Sequence, residues 1–225
     1  MSLFTQPYHD AVAQLTGPGA PFEVINCSIE GLSLKAFSQA HSSLSDYLNG
    51  GRQHGDKLLL QYQESTWSFK EFYTAADRLS HWLVTEGNIT AGTPVAIAMR
   101  NRPEWLIAFV AIINVGGIAV PLNSWGKSAE LEQGLEDSHA ALLICDAPRW
   151  KYVQESNRIV SALIVDGDAS GPQQPDFHDV IRANWTGSIT PPAIDTQTPA
   201  ILLFTSGTSG RPKGVMLSHF NCCQA

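Results

Sequence analysis

Positive charge is scarce in this 225-residue sequence, which has 14 lysine and arginine residues, 21 aspartate and glutamate residues and a formal net charge of −7. A protein that grips phosphate backbones over a wide surface needs an excess of basic side chains. The composition therefore argues against an extended nucleic-acid interface, and we expect no nucleic-acid partner. A small anion site is compatible with it, because backbone N–H groups supply a local positive field.

Cysteine is also rare, with Cys27, Cys145, Cys222 and Cys223 the complete set. None of them form a C-x-x-C pair, and no histidine lies at metal-ligand spacing from them, so no structural metal is expected. Adjacent Cys222 and Cys223 are typical of small buried hydrophobes. This usage favours a reduced protein and a cytoplasmic location.

Targeting signals are missing as well. The opening MSLFTQPYHD has neither a basic start nor an apolar run, so no signal peptide is predicted. Residues 105–122 are nearly all apolar and roughly as long as the shortest membrane spans. Because Asn114, Gly116, Gly117 and Pro121 fall in the second half, we interpret the stretch as a buried helix followed by a strand. No transmembrane segment is expected.

Short apolar strands alternate with helical patterns in the second part of the chain. Strands are predicted at 94–99, 118–122, 141–145, 162–165 and 200–204, and helices near 70–86, 102–115 and 128–137. The strands do not alternate apolar and polar residues, so they predict an α/β fold with a largely parallel sheet covered by helices on both faces. We divide the chain into a cover segment, residues 1–50, and an α/β portion, residues 51–225.

Local signals mark where some of these elements begin. Residues 57–69 are typical of a β-hairpin. The pattern Ser68-x-x-Glu71 predicts a capping box at the start of the next helix. Asn101 and Pro103 predict the start of a later helix in the same way.

The most informative segment follows the last predicted strand. Residues 204–214 read FTSGTSGRPKG, with four hydroxyl side chains and three glycines among eleven residues. Glycine lets the backbone approach a bulky anion, successive N–H groups form a concave anion site, and Lys213 adds one mobile positive charge. The common P-loop motif has a shorter spacing and a Ser or Thr after its lysine, so it does not fit. The residues after Gly214 favour a returning strand, and hence a loop within a hairpin.

TSGTSGRPKG resembles the phosphate-binding signature of the adenylate-forming superfamily, with Ser209 where threonine is commonest. TWSFKEF, VAIAMRNRPEW, GGIAVPLN and ELEQGLEDS, between residues 66 and 138, resemble its acyl-CoA synthetase branch in order and spacing. The resemblance covers most of residues 57–221. It implies an ATP-dependent, AMP-forming acid–thiol ligase that uses Mg²⁺ and coenzyme A.

The resemblance also implies roles for the loop. Phosphate contacts are expected from Thr205, Ser206, Gly207, Thr208, Ser209, Gly210, Lys213 and Gly214, with Thr205 the candidate magnesium ligand. No catalytic residue is assigned. The family's segments for adenine, ribose, most of the acyl pocket and the catalytic lysine are expected beyond Ala225, so the 225 residues alone are expected to be inactive and to self-associate or form a homodimer through uncovered apolar surface.

Several alternatives are open at this stage. A fatty or alicyclic acid is the first choice of substrate, an aryl acid the second, and an amino acid is less favoured. A phosphate-binding module without catalysis, or a degenerate paralogue, is the alternative from another class. His219 is interpreted as structural, and Asp166 and Asp168 as a solvated loop pair. Glu136 and Asp137 are interpreted as the polar face of a helix.

Overall fold

The computed structural model describes residues 5–29, 31–155, 160–167, 174–185, 192–205 and 212–225. The strands are β1 (Val24–Ile29), β2 (Leu32–Phe37), β3 (Leu58–Tyr62), β4 (Ser65–Ser68), β5 (Pro94–Ala98), β6 (Ile118–Pro121), β7 (Leu142–Asp146), β8 (Ser161–Val165), β9 (Pro199–Thr205) and β10 (Lys213–Ser218). The helices are α1 (Thr5–Thr16), α2 (Leu44–Asn49), α3 (Phe69–Thr85), α4 (Pro103–Asn114), α5 (Ser128–Ser138), α6 (Ala147–Gln154), α7 (Phe177–Arg182) and α8 (His219–Cys223). A short 3-10 helix, Gly50–His54, continues α2.

A six-stranded sheet forms the centre, with the order β10-β9-β6-β5-β7-β8. The five strands from β9 to β8 are parallel to their neighbours, and β10 is antiparallel to β9. This confirms the predicted α/β fold with a largely parallel sheet. The predicted return of the chain after Gly214 is confirmed by the β9–β10 hairpin, and the hairpin near residues 57–69 by β3 and β4.

Two apolar clusters cover the two faces of the sheet. The first packs α3, α4 and α7 against side chains such as Val95, Ile97 and Ile144. The second packs α5 and α6 against Ala96, Leu143 and other side chains that point the opposite way. Both faces of β5 and β7 are therefore buried, which explains why their sequences lack alternation.

The helix starts follow local chemistry with one correction. The Ser68 hydroxyl accepts from Glu71 N, and Glu71 Oε2 accepts from Ser68 N, so the predicted capping box of α3 is confirmed. The Asn101 cap is wrong. The residue before α4 is Arg102, which makes no side-chain cap, and Pro103 supplies the first helical position because its missing N–H costs nothing there.

The first 49 residues contribute smaller elements. β1 and β2 pair with each other as a two-stranded antiparallel sheet. α2 packs against α4 and α8. Within the described residues, no helix combines the length and the apolarity that a membrane crossing requires.

Candidate functional site

The β9–β10 hairpin brings the two ends of the predicted phosphate loop together. Thr205 pairs with Lys213 and Phe204 with Gly214 in the antiparallel ladder. Thr205 and Lys213 are both exposed, and Thr205 Oγ1 lies 3.4 Å from Lys213 O, at the outer limit of a hydrogen bond. The loop residues Ser206, Gly207, Thr208, Ser209 and Gly210 lie outside the described residues.

Gly214 has a packing reason for its missing side chain. A Cβ atom built there would lie 3.0 Å from Leu202 Cδ1 and 3.7 Å from Phe204 Cε1. The position across from Phe204 is therefore closely packed, and a side chain there would require Leu202 to shift by a few tenths of an ångström. Glycine therefore fits the close packing at the neck of the loop, by which we mean the place where β9 ends and β10 begins.

The sheet places this neck among other strand ends. Because β9 runs parallel to β6, Thr205 lies at the carboxyl edge of the sheet. β6 and β7 both follow β5 in sequence and lie on its two sides, so the strand order reverses at β5. Ligands of open α/β sheets bind outside the carboxyl ends of the strands near such a reversal. The loop thus begins at the edge where the fold favours a ligand.

A buried ion pair organises the same edge. Asp146, at the end of β7, caps α6 by accepting from Arg149 N, and its carboxylate lies 3.1 Å from Arg149 Nη1. Asp146 also accepts from Arg100 N at 3.2 Å. Arg149 donates to the carbonyl oxygen of Ser124, with Nε at 2.8 Å. The pair therefore ties the ends of β5 and β7 to the loop that follows β6.

A cavity of about 730 Å³ lies between α5, the end of β6 and the neck of the hairpin. Thr205 and Phe204 line one side of it, and Asn123, Glu130 and Gln133 supply polar groups on the other. Asn123 Nδ2 donates to Glu130 Oε1 at 2.8 Å, which orients both side chains. The cavity can hold a molecule directly beside the phosphate loop.

Neither this cavity nor the ion pair was predicted from the sequence. Residues 116–123 and 130–138 were interpreted there through the family resemblance and as core elements. The available signal was positional: Asn123 and Asp146 are polar residues at the ends of buried parallel strands, where side chains converge at one edge. Sequence alone does not show that Arg149 reaches back to Ser124.

The described residues at the neck fit a magnesium-bound phosphate. No carboxylate in the described part of the chain lies within 4.0 Å of Lys213, so its charge is available to an anion. The described residues contain no group of three or more His, Cys, Asp or Glu side chains that could hold a metal ion. Mg²⁺ commonly keeps several waters and is held by one or two protein ligands together with substrate phosphates. The exposed hydroxyl of Thr205 is suited to that arrangement.

Other candidates resolve into structural roles. His219 is buried, and its Nδ1 accepts from Leu44 N at 3.2 Å, so it is structural, as expected. Asp166 is not simply solvated, because it is paired with Arg102 at 2.8 Å and lies 3.1 Å from His178 Nε2. Burial opposes ionisation of Asp166, but the Arg102 hydrogen bond and charge and then His178 lower its pKa. Asp168 lies outside the described residues.

Arg102 joins this Asp166 pair to a second carboxylate. Its Nε lies 2.7 Å from Glu104 Oε2, and Glu104 is itself buried. Burial acts to lower the pKa of Arg102, but its bonds to Glu104 and Asp166 raise that pKa above its usual value. The cluster connects the starts of α4 and α7 to the end of β8, so we assign it to the scaffold.

The other residues discussed from the sequence are the acidic residues of α5 and the four cysteines. Gln133 Nε2 donates to Asp137 Oδ1 at 2.9 Å, and Glu136 is exposed, consistent with a polar helix face. The four cysteines are free thiols. Cys145 is buried, and burial raises its thiol pKa. Cys222 and Cys223 are half-buried at the edge of the first apolar cluster, more exposed than expected.

Sequence comparison matches residues 49–225 to the family described as AMP-binding enzyme. The match covers most of the chain, and the chain belongs to this family. Its relatives include adenylate-forming enzymes of several kinds, acyl-CoA ligases and peptide-synthetase adenylation domains among them.

Three relatives illustrate this range. Tyrocidine synthase 3 of Brevibacillus parabrevis is 30% identical over 172 residues, which are 75% of this chain and 2% of that protein. The crotonobetaine/carnitine–CoA ligase of Shigella flexneri is 29% identical over 161 residues, 69% of this chain and 31% of the ligase. The O-succinylbenzoate coenzyme A synthetase of Bacillus subtilis, solved with AMP, superposes with a TM-score of 0.61 at 26% identity, over 80% of this chain and 42% of that one. The chain thus spans less than a third of these two curated relatives.

Proposed function

We propose that this chain is the phosphate-binding part of an acyl-CoA ligase, which activates a carboxylic acid with ATP and transfers it to coenzyme A. One observation supports the proposal most directly. The described ends of the TSGTSGRPKG segment, Thr205 and Lys213, lie side by side at the carboxyl edge of a parallel sheet, and Lys213 has no described carboxylate within 4.0 Å. A cation at the mouth of a glycine- and hydroxyl-rich loop suits the pyrophosphate end of ATP.

The roles that we propose within the loop are those that the family resemblance implies, and they agree with the chemistry of the side chains. Backbone N–H groups at Gly207, Gly210 and Gly214 and the hydroxyls of Ser206, Thr208 and Ser209 hold the β- and γ-phosphates. Lys213 neutralises the charge that develops on the departing pyrophosphate. Thr205 would contribute its hydroxyl to a bound Mg²⁺, which would supply further charge neutralisation.

The proposed reaction has two steps. The substrate carboxylate attacks the α-phosphorus of ATP, forming the acyl-adenylate and releasing pyrophosphate. The thiolate of coenzyme A then attacks the acyl carbonyl carbon, and AMP leaves. The loop stabilises the transition state of the first step, in which negative charge grows on the departing pyrophosphate. The cavity beside Thr205 is a candidate place for one of the reactants.

The identity of the acid and of the acceptor separates two versions of this proposal. The likeness to a crotonobetaine/carnitine–CoA ligase favours a coenzyme A acceptor. The likeness to tyrocidine synthase 3 favours an amino acid transferred to a carrier instead. We adopt the first version, with a fatty or alicyclic acid ahead of an aryl acid.

Acid-dependent exchange between pyrophosphate and ATP in the full-length protein tests the proposal. A panel of fatty, alicyclic, aryl and amino acids should give exchange with one class, and Lys213→Ala should abolish most of it. Lys57→Ala, which removes an exposed lysine outside the site, is the matched control. Exchange with no acid in the panel would contradict the enzyme and favour a non-catalytic phosphate-binding module. Exchange without subsequent thioester formation would favour the carrier version.

Three further proposals concern the chain as a whole. Residues 1–50 act as a cover on the α/β portion, residues 51–225. The 225 residues alone bind pyrophosphate weakly but do not turn over, because orienting acid, nucleotide and metal needs more groups than one loop supplies. Exposed apolar residues such as Leu203, Val215 and Met216 promote self-association of the isolated piece. Its mass in solution tests the self-association, and its acid-dependent AMP release tests the absence of turnover.

A further inference from the structure

A buried hydrogen bond joins α8, which directly follows the β9–β10 hairpin, to the start of α2. His219, the first residue of α8, is 1% exposed, and its Nδ1 accepts from Leu44 N at 3.2 Å. Leu44 opens α2, and the first N–H groups of a helix have no partner within the helix. His219 thus satisfies a buried donor that is about 175 residues away in sequence. The acceptor must be an unprotonated ring nitrogen, so the neutral imidazole carries its proton on Nε2.

α2 is itself held firmly by other helices. Asn114 of α4 accepts at Oδ1 from Ser45 Oγ at 2.9 Å and from Asn49 Nδ2 at 2.8 Å. The Tyr73 hydroxyl of α3 donates to Leu48 O. These bonds fix α2 to the two longest helices of the first apolar cluster. A group bonded to the start of α2 is therefore bonded to the scaffold.

A second tie flanks the other end of α8. The side-chain amide of Gln224 accepts from Phe37 N at 2.6 Å and donates to Phe37 O at 3.4 Å, as a neighbouring strand would. Both anchors of α8 thus lie within residues 37–44, upstream of the family match at 49–225. α8 therefore connects this upstream segment to the β9–β10 hairpin.

β10 needs such support because it lies at the edge of the sheet. Among the described strands it pairs only with β9, and its register shifts between Leu217 and Ser218. A slip of one residue would turn every side chain of the strand, Lys213 included, to the opposite face. His219 follows β10 immediately and also donates its backbone N–H to Thr198 O at 3.1 Å. The end of β10 is thus fixed from two sides.

We propose that His219 is a positioning residue for the phosphate loop, which holds the end of β10 against α2 and releases it when the imidazole is protonated. The inference rests on the proposed role of the loop. Protonation places an N–H where Leu44 N–H now points, so two donors face each other and the bond is lost. The hairpin then keeps its ladder to β9, the backbone bond from His219 N to Thr198 O and the Gln224 tie, but loses its side-chain bond to α2.

The surroundings favour the neutral ring. Burial lowers the pKa of His219, and the charge of Asp46 on α2 acts against that shift. The other titratable groups near this contact are His41, whose charge acts on Asp46, and Cys222 and Cys223 on α8. A histidine whose folded pKa is lowered stabilises the fold fully above its unfolded pKa of about 6.5. That contribution is lost as the pH falls below this value, because the unfolded state binds the proton more readily.

Two variants separate the positioning role from a general loss of stability. His219→Asn keeps an acceptor, Oδ1, close to the place of Nδ1 but does not titrate. His219→Phe keeps a planar ring and removes the acceptor. His139→Asn is the control, because His139 is exposed and its left-handed backbone tolerates asparagine. Hydrogen exchange of residues 44–49 and the Kd for inorganic pyrophosphate are measured on the full-length protein at pH 8.0 and pH 5.5.

At pH 8.0 we expect wild type, His219→Asn and the control to agree. His219→Phe should bind pyrophosphate more weakly, by up to about tenfold, because the loss of one buried hydrogen bond lowers the population of the anchored hairpin by at most about that factor. At pH 5.5 the wild type should move towards His219→Phe in both measurements, whereas His219→Asn should not. Comparing variants at one pH cancels the titration of pyrophosphate itself. Equal behaviour of wild type and His219→Asn at pH 5.5 would overturn the release on protonation. Faster exchange in His219→Phe with unchanged pyrophosphate affinity would overturn the positioning role. If no variant, wild type included, binds pyrophosphate, the proposed function and the positioning role fail together, and the exchange data still decide whether the contact opens with acid.

Discussion

β7 and β10 belong to the same sheet but are specified in different ways. All five residues of β7 are buried, and it has a parallel partner on each side. None of the six residues of β10 is buried, and its described partner is β9 alone. Burial of both faces fixes β7, whereas β10 depends on its ladder to β9 and on the hydrogen-bonded anchors at its carboxyl end. A sheet can therefore combine a rigid centre with an edge that is free to meet a ligand.

The buried pair at the end of β7 should show the largest effect on stability. Arg149→Met leaves the Asp146 carboxylate buried without its partner, which typically costs about 3–5 kcal/mol of unfolding free energy. The double variant Arg149→Met with Asp146→Asn should recover much of the loss, because asparagine still caps α6. Urea unfolding measures both, with Arg182→Met, at an exposed arginine, as control. A loss below about 1 kcal/mol would mean that water reaches this pair freely.

A substitution that creates a cavity in the centre of the sheet tests the comparison between β7 and β10 directly. Leu143→Ala, at a fully buried position of β7, should lower the unfolding free energy by about 2–5 kcal/mol. Met216→Ala, at a position of β10 that is 64% exposed, should change it by less than about 0.5 kcal/mol. The two are compared by urea unfolding under the same conditions. Similar losses would show that β10 is covered in the folded protein, and the contrast between the strands would fail.

A charge removed from the hairpin should affect the reaction and leave the fold intact. Lys213→Ala should raise the barrier to adenylate formation by about 2–4 kcal/mol, since a charge-assisted phosphate contact is lost at the transition state. Thioester formation from preformed acyl-adenylate should change much less, and the urea midpoint hardly at all. Rapid-quench assays of the two half-reactions in the full-length protein measure this difference. Equal slowing of both would assign Lys213 another role.

The same contrast explains what sequence could predict. Unalternating apolar runs such as residues 94–99 and 141–145 identified β5 and β7 because burial on both faces determines their composition. The hairpin was predicted from the residues that follow Gly214, which favour a strand over a helix. Local chemistry worked at Ser68, where the signal lies within four residues.

Long-range polar contacts could not be predicted in this way. Asn101 was a plausible cap for α4, but the capping position is held by Arg102, whose side chain makes no cap and instead reaches Glu104 and Asp166. The bond between His219 and Leu44 spans most of the chain. Such pairs depend on which strand ends meet in space, and periodicity within one segment contains no information about that.

The smallest expected difference is between two capping boxes, one in the centre and one beside the hairpin. Ser68→Ala should lower the unfolding free energy by about 1 kcal/mol, because α3 is a core helix. Ser218→Ala removes the corresponding bond to Asn221 in the five-residue α8, and it should lower global stability by less while increasing hydrogen exchange at β10. Larger losses for Ser218→Ala than for Ser68→Ala would reverse the order of centre and edge.

Hydrogen bonds from Ser68 lower the pKa of Glu71, so this side chain stabilises the fold above its unfolded pKa of about 4.3 and less as the pH falls further. Glu71→Gln keeps the box without a titrating group, so the difference between wild type and this variant should shrink as the medium is acidified. A difference in unfolding free energy between wild type and Glu71→Gln that stays constant from pH 7 to pH 3 would show that the charge of Glu71 contributes nothing to stability.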